Sequence, residues 1–172
     1  NANANPPSLY QWRFNGVPLA GATNRVLVLT GVATNQTGLY SVVVSNSEGS
    51  VTSTSALVNI SSLQELLSLA VDASNLAWAT GGNASWLSGS APAAHDSVDV
   101  AQSGTITHGQ ESWLETSVTG PGTLNFWWKV SSEGGGDFLR FLAGGVLVAN
   151  ISGEVGWRQE SFAISSGQQT LR

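Results

Sequence analysis

Apolar and polar side chains alternate with period two from Leu9 onward, with Tyr10, Trp12 and Phe14 on one face and Gln11, Arg13 and Asn15 on the other. That is the pattern of a half-buried strand. Asn15-Gly16 follows at once, and both residue types tolerate the positive φ that a two-residue hairpin turn requires. Residues 25–30 are β-branched and leucine-rich and predict a further strand. After a polar break at 34–37, Tyr40, Val42 and Val44 alternate with small or polar partners over 38–45. A turn at 46–49 leads to another β-branched run over 50–59. Strands at this spacing, with no helical period between them, predict an all-β sandwich. Residues 61–70 are the one stretch of helix-forming character. Ser62 and Glu65 have capping-box spacing there, which predicts a connector of one to two turns. Beyond Val71 strands are expected over 113–118, 123–130, 137–141, 146–150 and 157–164. Turns are expected at Gly120-Pro121-Gly122, Gly134-Gly135-Gly136, Gly144-Gly145 and Ser152-Gly153.

Composition narrows the function classes. The 172 residues include six Lys and Arg against eleven Asp and Glu, a formal net charge of −5. So few cations cannot drive binding to nucleic acid through phosphate neutralisation, nor hold the chain to anionic lipid. No apolar run approaches the ~20 residues that would insert in a membrane as a helix. The absence of cysteine excludes a disulfide scaffold, a thiolate metal site and a cysteine nucleophile. Seven Trp and five Phe must then supply the buried area.

Two family resemblances are carried by specific residues. Trp12, Leu27-Val28-Leu29, Val32 and Gly38-Leu39-Tyr40 resemble the second half of an immunoglobulin-like domain. In that likeness Trp12 corresponds to the core tryptophan and Tyr40 to the tyrosine whose hydroxyl bonds back to nearby backbone. Val42 stands where the family has its second cysteine, and Gln36 where it has an aspartate. The likeness is therefore to the cysteine-free repeats of bacterial surface proteins. It implies an immunoglobulin-like domain over 1–60 whose first strands lie upstream. Residues 61–70 then form the connector.

The second resemblance covers 71–172. Leu76-Ala77-Trp78-Ala79-Thr80-Gly81-Gly82, Ala101-Gln102-Ser103-Gly104, Ser112-Trp113-Leu114, the run from Gly120 to Val130, Asp137-Phe138-Leu139-Arg140-Phe141 and Ile151-Ser152-Gly153 resemble a concanavalin-like jelly roll. The likeness is close to meprin-type (MAM) domains and to the adhesin modules of gingipain-type proteins. The module is expected to continue past Arg172. The resemblances imply an exported, extracellular or cell-surface, non-catalytic module pair. A glycan or a surface protein is the expected ligand, and neighbouring domains of the same polypeptide are expected partners. A structural stalk and an accessory binding domain of an exported hydrolase are the alternatives.

Residue chemistry supports little else. No Gly-x-Ser-x-Gly elbow is present, and the two histidines, His95 and His108, read as surface residues. A glycosidase needs carboxylates ~5–9.5 Å apart, whereas Glu111 and Glu115 on one strand face lie ~13 Å apart. Related jelly rolls carry a structural calcium, for which Asp72, Asp96 and Asp99 are the available loop carboxylates. Sequons at Asn35, Asn59, Asn83 and Asn150 are expected by chance in so Asn-, Ser- and Thr-rich a chain. Strand parity gives the best candidate surface. If Leu124, Phe126, Trp128 and Val130 face inward and 137–141 pairs beside them, then Trp127, Lys129, Phe138 and Arg140 converge on one outer face. Aromatic planes beside cationic donors suit a sugar or peptide. The alternative is that loops or a neighbouring domain cover this face.

Overall fold

The computed structural model describes residues 7–90 and 94–172 and divides into two compact units, Asn1–Ser62 and Leu63–Arg172. Both are built from antiparallel β-sheet, with one short α-helix among the described residues.

The first unit is a sheet of β1 (Leu9–Phe14), β2 (Val17–Pro18), β3 (Gly38–Asn46), β4 (Gly49–Thr52) and β5 (Ala56–Val58). Its order is β2-β1-β3-β4, with β5 also on β3. Asn15 and Gly16, at φ 48° and 82°, form the two-residue β1–β2 turn as expected. The single strand expected over 50–59 is two pieces on one edge of β3. Between them Ser53 takes both backbone groups of Val42, donating its N–H to the Val42 carbonyl and accepting the Val42 N–H on Oγ. Tyr10, Trp12 and Phe14 lie opposite Val44, Val42 and Tyr40, so the two alternating patterns share a face. Tyr40 is buried, meets the Phe14 ring at 4.9 Å with a 40° tilt, and donates its hydroxyl to the Gln36 carbonyl at 2.9 Å. Trp12 is tied to the 19–24 segment: its indole N–H donates to the Asn24 carbonyl, and its backbone pairs with Leu19 and Ala22.

One expectation fails in this unit. Residues 25–30 have the alternating burial of a strand, with Leu27 and Leu29 half-buried and Val26 and Val28 exposed, but no described ladder partner. Strand propensity selects an extended backbone; a strand needs a neighbour for its N–H and C=O groups.

The second unit begins with α1 (Leu63–Ala70). This helix is more than a connector: Leu67 and Ala70 are buried, and it packs on β6 (Trp78–Gly82), β7 (Trp86–Ser90) and β8 (Asp99–Ser103). β7 and β8 form a separate hairpin sheet. The main sheet has the order β11-β10-β12-β9-β6, with β9 (Ser112–Ser131), β10 (Leu139–Ala143), β11 (Val146–Ile151) and β12 (Glu154–Leu171).

The expected turn at Gly120-Pro121-Gly122 is absent: β9 runs straight through it, with a cis Gly120–Pro121 peptide. Proline has no N–H for a ladder and is admitted to a strand interior at bulges. Here Ser165 and Ser166 together oppose Pro121, between the pairs Ile164↔Gly122 and Gly167↔Gly120. A Cβ on Gly120 would collide with the Ser165 carbonyl, so the crossing requires glycine. A second bulge puts Gly156 and Trp157 together opposite Lys129.

β9 and β12 thus form one long ribbon whose two halves serve different layers. Residues 112–119 pair with 167–171 beside β6 and β10. Over 122–131 the ribbon presents Leu124, Phe126, Trp128 and Val130 inward, where they meet Leu139 and Phe141 of β10 and Ala149 and Ile151 of β11. Phe141 lies 5.0 Å from Phe126 and 5.4 Å from Phe162. Strands that pass between layers at bulges are how sandwich corners are made. Each such ring pair adds about 0.5–1.5 kcal/mol to the burial of its surface.

Candidate functional site

The alternation predicted for 123–130 holds. Leu124, Phe126, Trp128 and Val130 are buried or half-buried, while Asn125, Trp127 and Lys129 are exposed. The predicted convergence of four residues does not hold. β10 pairs with β11 and β12, not with β9, and Phe141 faces Phe126 across the core. Phe138 and Arg140, which alternate with Leu139 and Phe141, therefore belong to the far side of the sandwich from Trp127 and Lys129. There the Arg140 guanidinium lies 5.3 Å from the Phe138 ring centroid, a self-contained cation–π pair. The premise that adjacent strands in sequence pair in space fails because the 131–138 segment crosses between layers.

Two other residues take their place beside Trp127 and Lys129. The bulge at Gly156 and Trp157 turns Trp157 outward, where the Lys129 ammonium lies 5.1 Å from its ring centroid. Trp157 is half-buried there. From the segment between β7 and β8, His95 stacks on Trp127 at 4.0 Å with an interplanar angle of 18°. It also meets Trp157 edge-on at 5.8 Å. Loop coverage of this face is therefore real but partial, since Trp127 remains 43 % exposed. An indole has two faces and His95 occupies one of them. The bulge and the His95 contact are both long-range, and no local signal in the sequence announces either.

The calcium expectation is not met by geometry. Among the described residues no three His, Cys, Asp or Glu side chains come together as a metal site. Asp72 follows α1 at φ 52°, its N–H donating to the Leu69 carbonyl. The Asp96 carboxylate accepts the Val98 N–H at 2.8 Å, and Asp99 opens β8. These aspartates are turn and strand-end residues on separate local structures.

Three glutamates are engaged with neighbours. Glu115 accepts Arg172 Nε at 2.8 Å, and that guanidinium lies 4.7 Å from the Trp113 ring. Glu160 pairs with Arg158 at 2.7 Å, and Glu154 accepts the Ser131 hydroxyl at 2.7 Å. His108 is exposed in a turn. In the first unit a shallow cleft of about 260 Å³ runs along residues 20–28 and is lined by Ala, Val and Leu with Gly21 and Asn24, without a titratable side chain. No helix among the described residues is long and apolar enough to cross a membrane. Comparison with protein-family models, with curated proteins and with solved structures finds no match to this chain.

Proposed function

We propose that the chain is a non-catalytic module pair of a larger exported protein, an immunoglobulin-like unit followed by a jelly-roll unit that binds a saccharide. The hydroxyl of Tyr40 on the Gln36 carbonyl and the burial of Tyr40 beside Phe14 support the first assignment. The two-layer ribbon of β9 and β12 supports the second.

The observation that carries the binding reading is Trp127. Its ring is pinned by a parallel stack with His95, yet 43 % of the residue stays in solvent. A large apolar ring held rigid at the surface binds without a further ordering cost, and an indole face matches the C–H face of a pyranose. The contact surface is then Trp127 with Trp157 and Lys129, all on the outside of one layer.

A glycan array probed with the whole chain tests this. Binding that disappears in Trp127→Ala, with circular dichroism unchanged, is the expected result. The same His95 contact favours one rival, a structural stalk in which the histidine merely seals an aromatic patch. Array silence, together with a rigid extended particle in solution scattering, would establish the stalk in place of the binding module. An accessory domain of an exported hydrolase shares the binding surface and differs only in its neighbours.

A further inference from the structure

Lys129 is the one lysine in a chain of net charge −5. Where cations meet carboxylates among the described residues, the pairs are Arg158 with Glu160 and Arg172 with Glu115; Lys129 is in neither. Its ammonium instead sits over Trp157. A cation–π contact uses the charge but leaves N–H donors free for an oxygen acceptor. Trp127 lies two residues away on the same strand face, at ~6.6 Å along the strand. Glu154, opposite Ser131, accepts the Ser131 hydroxyl on one carboxylate oxygen and makes no ion pair with Lys129.

We infer that the ligand of this face is an acidic saccharide, a pyranose that stacks on the free face of Trp127 and places its carboxylate on Lys129 Nζ. This rests on the saccharide-binding reading above and goes beyond it by fixing the charge of the sugar. A single ammonium beside an aromatic plane matches one carboxylate per ring. A nucleic-acid strand or other polyphosphate needs several clustered cations, and Arg140, the next unpaired one in this unit, is on the other side of the sandwich. The charge-assisted hydrogen bond to a carboxylate is shorter and stronger than one to a neutral hydroxyl, which gives the site its preference.

Isothermal titration of the whole chain with trigalacturonate, trigalactose and oligoglutamate separates the outcomes. Trigalacturonate is expected to bind about fivefold more tightly than trigalactose at low salt, the scale of one exposed charge pair. That margin should shrink as ionic strength rises. Lys129→Gln should erase the margin between the two sugars, whereas Lys129→Arg should keep it. Trp127→Ala should weaken both sugars about tenfold. Equal binding of the two sugars by the native chain, or a margin that survives Lys129→Gln, overturns the acidic-sugar inference while leaving the saccharide reading intact. Binding of neither sugar sinks both. Oligoglutamate binding as tight as trigalacturonate, and indifferent to Trp127→Ala, would show a bare anion contact and also overturn the inference.

Discussion

Both units carry an aromatic or apolar stripe at period two, Tyr10-Trp12-Phe14 in β1 and Leu124-Phe126-Trp128 in β9. Their fates differ. The β9 stripe faces a second layer, and Phe126, Phe141, Phe162 and Trp128 form a continuous set of ring contacts closed by Ile151 and Leu171. In the first unit Tyr40 is the buried hydrophobic side chain among the described residues, while Trp12, tied to the irregular 19–24 segment, and Phe14 stay half-buried. Alternation decides which face of a strand is apolar. Burial is decided by whether a second layer meets that face, and this is a property of the long-range partner.

The sharpest way to break this comparison is to truncate a ring in each unit. Phe141→Ala should cost about 3–5 kcal/mol, measured by denaturant unfolding, with hydrogen-exchange protection lost across β9 and β12. Phe14→Ala should cost about half as much, and equal losses would mean that the first unit has a core as closed as the second. Gly81→Ala comes next: its new Cβ would press into the Trp113 ring, and overpacking of this kind costs about 1–3 kcal/mol. A neutral result would show that Trp113 can swing aside. Tyr40→Phe keeps the ring and removes only the bond to Gln36, so a loss of about 1 kcal/mol confined to the first unit is expected. His95→Ala has the smallest effect, no more than about 1 kcal/mol. It should nonetheless raise acrylamide quenching of tryptophan fluorescence, and that rise should shrink in a Trp127→Phe background to the part due to Trp157, which His95 meets edge-on.

Much of the secondary structure was legible because its signals are local. Asn15-Gly16 and Gly144-Gly145 both adopt the positive φ values their turns demand, and parity over 123–130 assigned every residue to its observed face. What was not legible depends on partners distant in sequence. Residues 25–30 read as a strand and lack a described partner. Gly120-Pro121-Gly122 read as a turn because its composition is that of a turn, yet an opposing bulge absorbs the proline. The candidate site suffered in the same way. Trp127 and Lys129 were found from parity alone, but Phe138 and Arg140 were attached through an assumed pairing of neighbouring strands that does not form. Trp157 and His95 were missed because a bulge and a loop from another hairpin bring them in. The calcium expectation came from family likeness, and no arrangement of Asp72, Asp96 and Asp99 here supports it.

The two bulges on β12 have a consequence for inheritance as well as for packing. β9 keeps a single phase, with even-numbered residues inward from Thr116 to Val130, whereas β12 turns inward at Val155, then at Phe162 and Ile164, then at Gln169 and Leu171. It therefore changes phase twice and returns to the phase in which it began. Because each bulge sets two residues against one, deleting one residue of either pair would leave a regular ladder with every remaining side chain on its present face. Length variation in descendants of this chain should accordingly appear as single events on β12, most readily at 156–157 because the pair at 165–166 absorbs Pro121, and leave β9 untouched.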